Sequence, residues 1–459
     1  MKKLLAFILL LPFWNDSFAQ DKHAEFDSLF TSLLREGKFN GNVLVAEKGK
    51  IIFEKSFGMA DEKSKRPLNT ATIFELASVS KQFTAMAILL LQENGKLKMD
   101  DPLEKHIPEL DFYKGITIKN LVHHTAGLPD YMNLFEKNWD KTKFAVNQDV
   151  IEMLAKFQPD PVFLPGEKFE YSNTGYALLG SIIERASGKP FEQFLEENIF
   201  TPLGMKNTFV YRSRYKPKKV ENYALGYFVD ESVGKKIMPD ELGKEYYTYY
   251  LDGIVGDGMV NSNLHDLLIW DRALYTEKLL KSSSGKVVFA AAETNGGSST
   301  HYGFGWFLMQ NPNYGRVANH SGGWAGYITY IERHLDNDKT FIVLQNNSSP
   351  KTSMPVKEIR RILYGEPAEA RPAAKTYTPV ELDVFAGTFS SDDHPLKITI
   401  SRKGNVLMAL AEGQSSIPLS GFENNIFTFD PAGIVLQFNA KGDQMQLSQA
   451  DRKFVFKKN

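Results

Sequence analysis

The run Glu366-Pro367-Ala368-Glu369-Ala370-Arg371-Pro372-Ala373-Ala374 carries prolines and charge with no apolar periodicity. Such a stretch has little to bury and reads as a linker over 366–376, so the 459-residue chain is expected to fold as separate units. After it come short alternating segments, Leu396 to Ile400, Val406 to Leu410, Ile426 to Phe429 and Ile434 to Phe438. Turns such as Lys403-Gly404-Asn405 and Lys441-Gly442-Asp443 separate them. That texture predicts a small all-β sandwich or barrel over 377–459. Ahead of the linker the pattern is different. Phe26, Leu29, Phe30, Leu33 and Leu34 recur at helical spacing up to Gly37. Asn42 to Ala46 and Ile51 to Phe53 then flank Lys48-Gly49-Lys50 as a β-hairpin. A mostly helical middle follows. Two further strand candidates, Gly326 to Glu332 and Thr340 to Gln345, join across Asp336-Asn337-Asp338, with a last helix over Val356 to Leu363. Strands at both ends of a helical centre imply one antiparallel sheet built from the two termini, a discontinuous α+β domain over 20–365.

Lys2 and Lys3 precede the apolar run Leu4 to Phe13, and Ser17-Phe18-Ala19 places small residues before Gln20. This is the pattern of a secretory signal peptide over 1–19, cleaved near Ala19, and it predicts a periplasmic or secreted protein. The run is too short to span a bilayer and no later stretch is long enough, so no membrane span is expected. Cysteine is absent, which excludes thiol catalysis, disulfides and a cysteine-linked lipid anchor. A formal net charge of -1 argues against a nucleic-acid partner. Composition does not fix an oligomeric state.

Chemistry enters at Ser78-Val79-Ser80-Lys81. On a helix, residues three apart share a face, so Lys81 can reach the Ser78 hydroxyl. A serine hydroxyl is a poor nucleophile until a base takes its proton, and lysine serves as that base when burial or a neighbouring cation favours its neutral form. Four other pairs have the same spacing: Ser213/Lys216, Ser232/Lys235, Ser283/Lys286 and Ser348/Lys351. Those sit in polar, glycine- or proline-rich stretches that read as solvated loops. Ser78 instead opens an apolar helix, marked by Phe83, Ala87, Leu90 and Leu91 and ending at Gly95. A helix N-terminus there favours a developing oxyanion. By itself the pair is equally compatible with an N-cap serine and a surface lysine.

Two later motifs add to it. Tyr171-Ser172-Asn173 precedes an apolar helix, Thr174 to Ala186, and His320-Ser321-Gly322-Gly323 precedes Trp324-Ala325-Gly326 and a strand. A tyrosine can relay protons, an asparagine can hold a substrate amide or the lysine, and glycines let a substrate lie against a strand backbone. Tyr131/Asn133 and His301/Gly303 repeat the two spacings elsewhere. Singly, each motif reads as a buried tyrosine or a turn histidine. The three in this order point to one site.

The set Ser78-x-x-Lys81, Tyr171-x-Asn173 and His320-x-Gly322 resembles the penicillin-binding protein and class C β-lactamase superfamily of serine hydrolases. His123-His124-Thr125-Ala126-Gly127-Leu128-Pro129 and Gly256-Asp257-Gly258-Met259 are similar to phrases typical of that family. The resemblance covers about residues 25 to 365, and the last segment resembles a lipocalin-like barrel. It implies a β-lactamase-like antiparallel sheet flanked by helices, plus a helical subdomain. It also implies that Ser78 forms an acyl-enzyme, with Lys81 and Tyr171 moving the proton. The backbone N–H groups of Ser78 and Gly323 would form the oxyanion hole. Asn173, His320, Ser321, Gly322 and Gly323 would meet the substrate, with His320 on an edge strand.

One departure narrows the reading. β-Lactamases usually carry Lys-Thr-Gly or Lys-Ser-Gly on that strand, and neither tripeptide occurs here. Histidine in that place resembles D-alanyl-D-alanine carboxypeptidases and D-aminopeptidases. A substrate carboxylate loses a permanent cation, so efficient β-lactam hydrolysis is less favoured. No metal is expected: His123-His124 lacks the helix spacing and carboxylates of a zinc site and reads as a capped loop near the site. Gly253, Gly256 and Gly258 do not form a dinucleotide fingerprint, so no cofactor is expected either. The resulting expectation is an exported serine hydrolase of D-amino-acid peptides or peptidoglycan-type amides. Its rivals are a β-lactamase or small-ester carboxylesterase and, from another class, a non-catalytic sensor of cell-wall peptides or penicillin.

Overall fold

The structure is a computed structural model that describes residues 15–230, 235–281, 285–349, 351–367, 373–391, 397–411, 416–429, 433–449 and 452–459. The apolar run of the expected signal peptide, Leu4 to Phe13, lies outside these residues, as do Ser232, Ser283 and the linker residues Ala368 to Pro372. Ser17-Phe18-Ala19 falls at the start of helix α1, Asn15–Arg35. The chain divides into two compact units, Met1–Ser349 and Pro350–Asn459.

The first unit is organised on a six-stranded antiparallel sheet. In chain order its strands are β1 Gly41–Glu47, β2 Lys50–Phe57, β3 Phe307–Asn311, β4 Gly315–Trp324, β5 Tyr327–His334 and β6 Lys339–Gln345. In space they lie β3-β4-β5-β6-β1-β2. Strands from the two termini of the unit thus meet at β1 and β6, with Val43 opposite Val343 and Leu44 opposite Ile342. Both central strands are buried on both faces because alternate side chains serve different cores. On one face Phe26 of α1 packs on Phe53 with ring centroids 5.2 Å apart. On the other, Leu44, Ile342 and Leu344 join Phe83 and Trp270 in the main hydrophobic core.

The middle of the chain supplies the helices over that second face. Helix α2, Lys81–Glu93, is buried from Lys81 through Leu91. Helix α3, Asn173–Ser187, begins at the N-cap Ser172, whose hydroxyl accepts the Gly175 N–H at 3.1 Å, and ends at Gly188 with φ +72°. Helix α3 packs on α2 and neighbouring helices, and an apolar face of this length explains why both are buried in the core rather than lying in solvent.

Two expectations require correction. The strand thought to start near Gly326 is β5, and His320-Ser321-Gly322-Gly323 lies within a preceding strand, β4. Gly326, at φ +95°, is instead the turn between them. Nor is β4 an edge strand, since β3 flanks it. Pairing with β3 stops at Asn319, however, so His320 to Trp324 extend past the edge strand with one side unpaired by it.

The second unit contains the helix Val356–Tyr364 and eight antiparallel strands that close into a barrel. These are β7 Gly387–Ser390, β8 Ile398–Lys403, β9 Val406–Ala411, β10 Ile417–Phe422, β11 Ile426–Phe429, β12 Ile434–Phe438, β13 Gln444–Gln449 and β14 Arg452–Lys458. Strand β7 meets β14 through Phe389 and Lys458, which removes the sheet edges. Phe389, Phe427, Phe438 and Phe456 fill the interior, the Phe438 ring lying 5.7 Å from those of Phe389 and Phe427. Among the described residues, no helix in either unit is long and apolar enough to cross a membrane.

Candidate active site

The nucleophile candidate sits on a short 3-10 turn, Ala77–Ser80, that runs directly into α2. Ala77 adopts φ +48°, a left-handed conformation that costs an alanine about 1–2 kcal/mol. The surroundings enforce it. The Leu76 N–H donates to the Val260 carbonyl at 2.9 Å, and the Val260 N–H donates to Ser80 Oγ at 3.0 Å. From the sheet side, Thr329 Oγ1 donates to the Leu76 carbonyl at 2.7 Å. The turn is pinned between β5 and the strand Val260–Ser262, leaving Ser78 half-buried at its tip.

Gly322 is what lets this turn approach β4. A Cβ at that position would stand 2.2 Å from the Leu76 carbonyl oxygen and 2.3 Å from Thr329 Oγ1, whereas a Cβ on Gly323 meets nothing within 4 Å. Gly322→Ala must therefore displace the nucleophile turn. We expect a loss of at least about a hundredfold in the rate of Ser78 acylation, because a shift of this size spoils attack geometry. Gly323→Ala should keep the melting temperature of the parent. Stopped-flow acylation and thermal unfolding of the two variants check both statements.

Lys81 is fully buried, and its Nζ makes three polar contacts: Ser78 Oγ at 3.1 Å, Asn173 Oδ1 at 2.9 Å and the Asp257 carbonyl oxygen at 2.7 Å. The last two partners can only accept. Nζ donates to all three oxygens; were the amine to give up one proton, the two obligate acceptors would hold its remaining N–H bonds and its lone pair would face the Ser78 hydroxyl. Asn173 reaches Lys81 because it is the first residue of α3. The Tyr171 ring lies 5.0 Å from Nζ, and its buried hydroxyl has no hydrogen-bond partner among the described residues.

His320 is buried, with Nδ1 2.6 Å from the Ser321 carbonyl and Nε2 3.0 Å from Tyr302 Oη. A carbonyl accepts, so Nδ1 carries the proton and Nε2 accepts from the phenol. Burial, helped by the Lys81 charge, pulls its pKa down to about 3, so the ring is neutral at ordinary pH. Both of its nitrogens are thus engaged inside the protein. The side chain of Ser321 is exposed beside it.

Several residues around this centre were not singled out as site residues. His124 has φ +57°, and its Nδ1 accepts the Ser172 N–H at 3.0 Å, leaving the proton on Nε2. Burial above all, then the Lys81 charge, holds its pKa well below the usual histidine value. Its ring lies 4.4 Å from that of Tyr171 and 4.5 Å from that of Tyr302, so it fixes the tyrosine that faces Lys81. His123 Nδ1 donates to the Tyr302 carbonyl at 3.0 Å. Tyr131 and His301/Gly303 repeated the site spacings; Tyr131 donates to Asp257 Oδ2 at 3.0 Å, and Tyr302, next to His301, carries His320. The family-typical His123-His124 phrase was the available signal. The family-typical Gly256-Asp257-Gly258-Met259 phrase covers Asp257 as well, but the contact it makes with Lys81 is through its backbone carbonyl. Ser348 Oγ accepts the Gly326 N–H at 3.2 Å in a turn, as a structural serine does. Among the described residues no group of three His, Cys, Asp or Glu side chains could hold a metal ion.

The Beta-lactamase family profile matches residues 26–366 of the chain. Penicillin-binding protein 4* of Bacillus subtilis (strain 168) is 43% identical over 371 residues, which span 80% of this chain and 82% of that protein. The octameric penicillin-binding protein homologue from Pyrococcus abyssi superposes with a TM-score of 0.66 at 25% identity, covering 95% of this chain and 99% of that one. The D-amino acid amidase from Ochrobactrum anthropi SV3 shares the fold over 76% of this chain and 99% of its own, with a TM-score of 0.62 and 22% identity. A buried lysine set against a serine at the head of a core helix is therefore found in a chain that belongs to the beta-lactamase family, among the serine hydrolases related to penicillin-binding proteins.

Proposed function

We propose that the protein is an exported acyl hydrolase that cleaves amide bonds of D-amino-acid peptides or peptidoglycan-type fragments through an acyl-enzyme on Ser78. The observation that carries this reading is the contact set of buried Lys81 Nζ, which two obligate acceptors hold 3.1 Å from the Ser78 hydroxyl whose proton it would take. Ser78 Oγ attacks the substrate carbonyl while its proton moves to Lys81. The backbone N–H groups of Ser78 and Gly323 receive the oxyanion. Lys81 returns the proton through Tyr171 to the departing amine, the C–N bond breaks, and the acyl group remains on Ser78. Water, deprotonated by the same pair, then releases the acid. Asn173 holds Lys81 and meets the substrate amide. His320 acts through Tyr302 and the strand, since neither ring nitrogen is free.

Fold similarity to a D-amino acid amidase supports the amide preference. The lack of a permanent cation in the strand motif weakens recognition of a β-lactam carboxylate, and neutral His320 does not replace it. The basic start and apolar run of the sequence support export. A hydrolysis panel tests the substrate class: D-alanyl-D-alanine peptides, D-amino-acid amides, cephalosporins and short-chain p-nitrophenyl esters. We expect turnover of the D-configured amides above that of the cephalosporins. Turnover of the esters alone would overturn the amide assignment.

A further inference from the structure

In the acyl-transfer route above, the departing amine takes its proton from Tyr171, so the leaving half of the substrate must lie against that residue. The Tyr171 hydroxyl has no hydrogen-bond partner among the described residues, and its ring stands 5.0 Å from Lys81 Nζ, itself 3.1 Å from Ser78 Oγ. The Phe307 ring lies 6.1 Å from the Tyr171 ring and nearly parallel to it, at 13°, and 5.3 Å from the ring of His320. Phe169 is 6.4 Å from Phe307 on another side. Tyr171, Phe307 and Phe169 are each half-buried, so three rings linked through Phe307 are packed on the core and still present surface to solvent.

The register of the sheet puts Phe307 there. It is the first residue of β3 and stands opposite Asn319, where the pairing of β3 with β4 stops. From His320 to Trp324, β4 is left unpaired by β3, and the Phe307 ring closes one end of that open stretch. A substrate with its carbonyl oxygen at Gly323 and its leaving atom at Tyr171 runs back along β4 toward this ring. The charges on the way are sparse. His320 is neutral with both nitrogens engaged, and Lys81 is buried with its three contacts taken. A carboxylate brought against Phe307 would lose water and gain no cation from either, whereas an apolar group would bury its surface on the rings.

We propose that Phe307, flanked by Phe169 and Tyr171, is an aromatic shelf for the leaving half of the substrate. Phe307 is then a specificity-determining residue, and the favoured substrates release an apolar or aromatic amine or alcohol rather than a carboxylate-bearing one. This rests on the acyl-hydrolase reading above and narrows its substrate class on the departing side.

The test keeps the acyl half of whichever D-amino-acid amide, peptide or p-nitrophenyl ester the parent protein hydrolyses fastest. It varies the leaving half among benzylamine, methylamine and glycine, and among the matching benzyl, methyl and carboxymethyl esters. Benzylamine and glycine are of similar basicity, so the ratio of kcat/KM between them reads recognition rather than leaving ability. Such ratios do not depend on how much of a variant is folded. The parent protein should favour the benzyl over the carboxymethyl compounds by at least about tenfold, the low end of what added apolar surface gains in a hydrophobic subsite. Phe307→Ala should lower the benzyl-to-methyl ratio by about tenfold, and Phe307→Leu, which keeps an apolar side chain, by less. Phe307→Lys should turn the preference toward the carboxymethyl compounds, because it brings a cation to the shelf. If the alanine variant fails to fold, the leucine and lysine variants carry the same comparison. A parent protein that cleaves the carboxymethyl compounds as fast as the benzyl ones, or ratios unchanged across the variants, overturns the proposal and leaves the hydrolase intact. A Ser78→Ala protein that hydrolyses these compounds as the parent does overturns the hydrolase reading instead.

Discussion

Ser78→Ala should lose turnover by at least about four orders of magnitude, as removal of an acyl-enzyme nucleophile does in other serine hydrolases. The fold should be unaffected. Ser78 is half-buried at the tip of a turn held by the Leu76, Ser80 and Val260 backbone and hydroxyl contacts, none of which involves its own side chain. Among the described residues the Ser78 hydroxyl is bonded by Lys81, at 3.1 Å. The comparison is therefore between two proteins with equal melting temperatures and very different rates, measured on whichever panel substrate the parent turns over fastest.

The second large effect is at Lys81. Lys81→Ala should slow acylation by several orders of magnitude, because the Ser78 proton then has no base at hydrogen-bond distance. Loss of the side chain also leaves Asn173 Oδ1 and the Asp257 carbonyl without their donor, at about 1–3 kcal/mol for each buried acceptor left unmade. A lower melting temperature is thus part of the expected result. Lys81→Arg separates the two causes. Arginine supplies donors and charge but stays protonated, so it should recover some stability and none of the rate. Near-normal acylation in the arginine variant would remove the base role. The rate of Ser78 labelling by a fluorophosphonate, read beside thermal unfolding, makes the measurement.

Much of this arrangement was legible because it depends on residue type. The runs around Val43 and Ile342 are strand-forming and buried on both faces, so a sheet made from the two termini follows from the chain alone. Ser78 and Lys81 shared their spacing with four other pairs, and the apolar helix behind them made the choice. Strand β4 was misread for an identifiable reason. Asn319-His320-Ser321-Gly322-Gly323 lacks both alternation and β-branched residues, and glycine is a poor strand former. The glycine is there for a contact, the approach of the Leu76 carbonyl, that involves a residue some 250 positions away. Long-range sterics leave no local pattern. The same holds for Ala77, whose left-handed backbone is imposed by its neighbours; Asp257 lay in a family-typical phrase, but its bond to Lys81 runs through a carbonyl that every residue possesses. His124 was visible as part of a family-typical phrase, yet its work of holding Tyr171 and the Ser172 N–H requires the fold to bring them together.

The most direct test of the account is the site of covalent attachment. Intact-mass and peptide mass spectrometry after reaction with a fluorophosphonate should find one adduct per chain, on the peptide that contains Ser78, and none in Ser78→Ala. Stoichiometric labelling that persists in Ser78→Ala, or an adduct mapped to another serine such as Ser213 or Ser348, would contradict it.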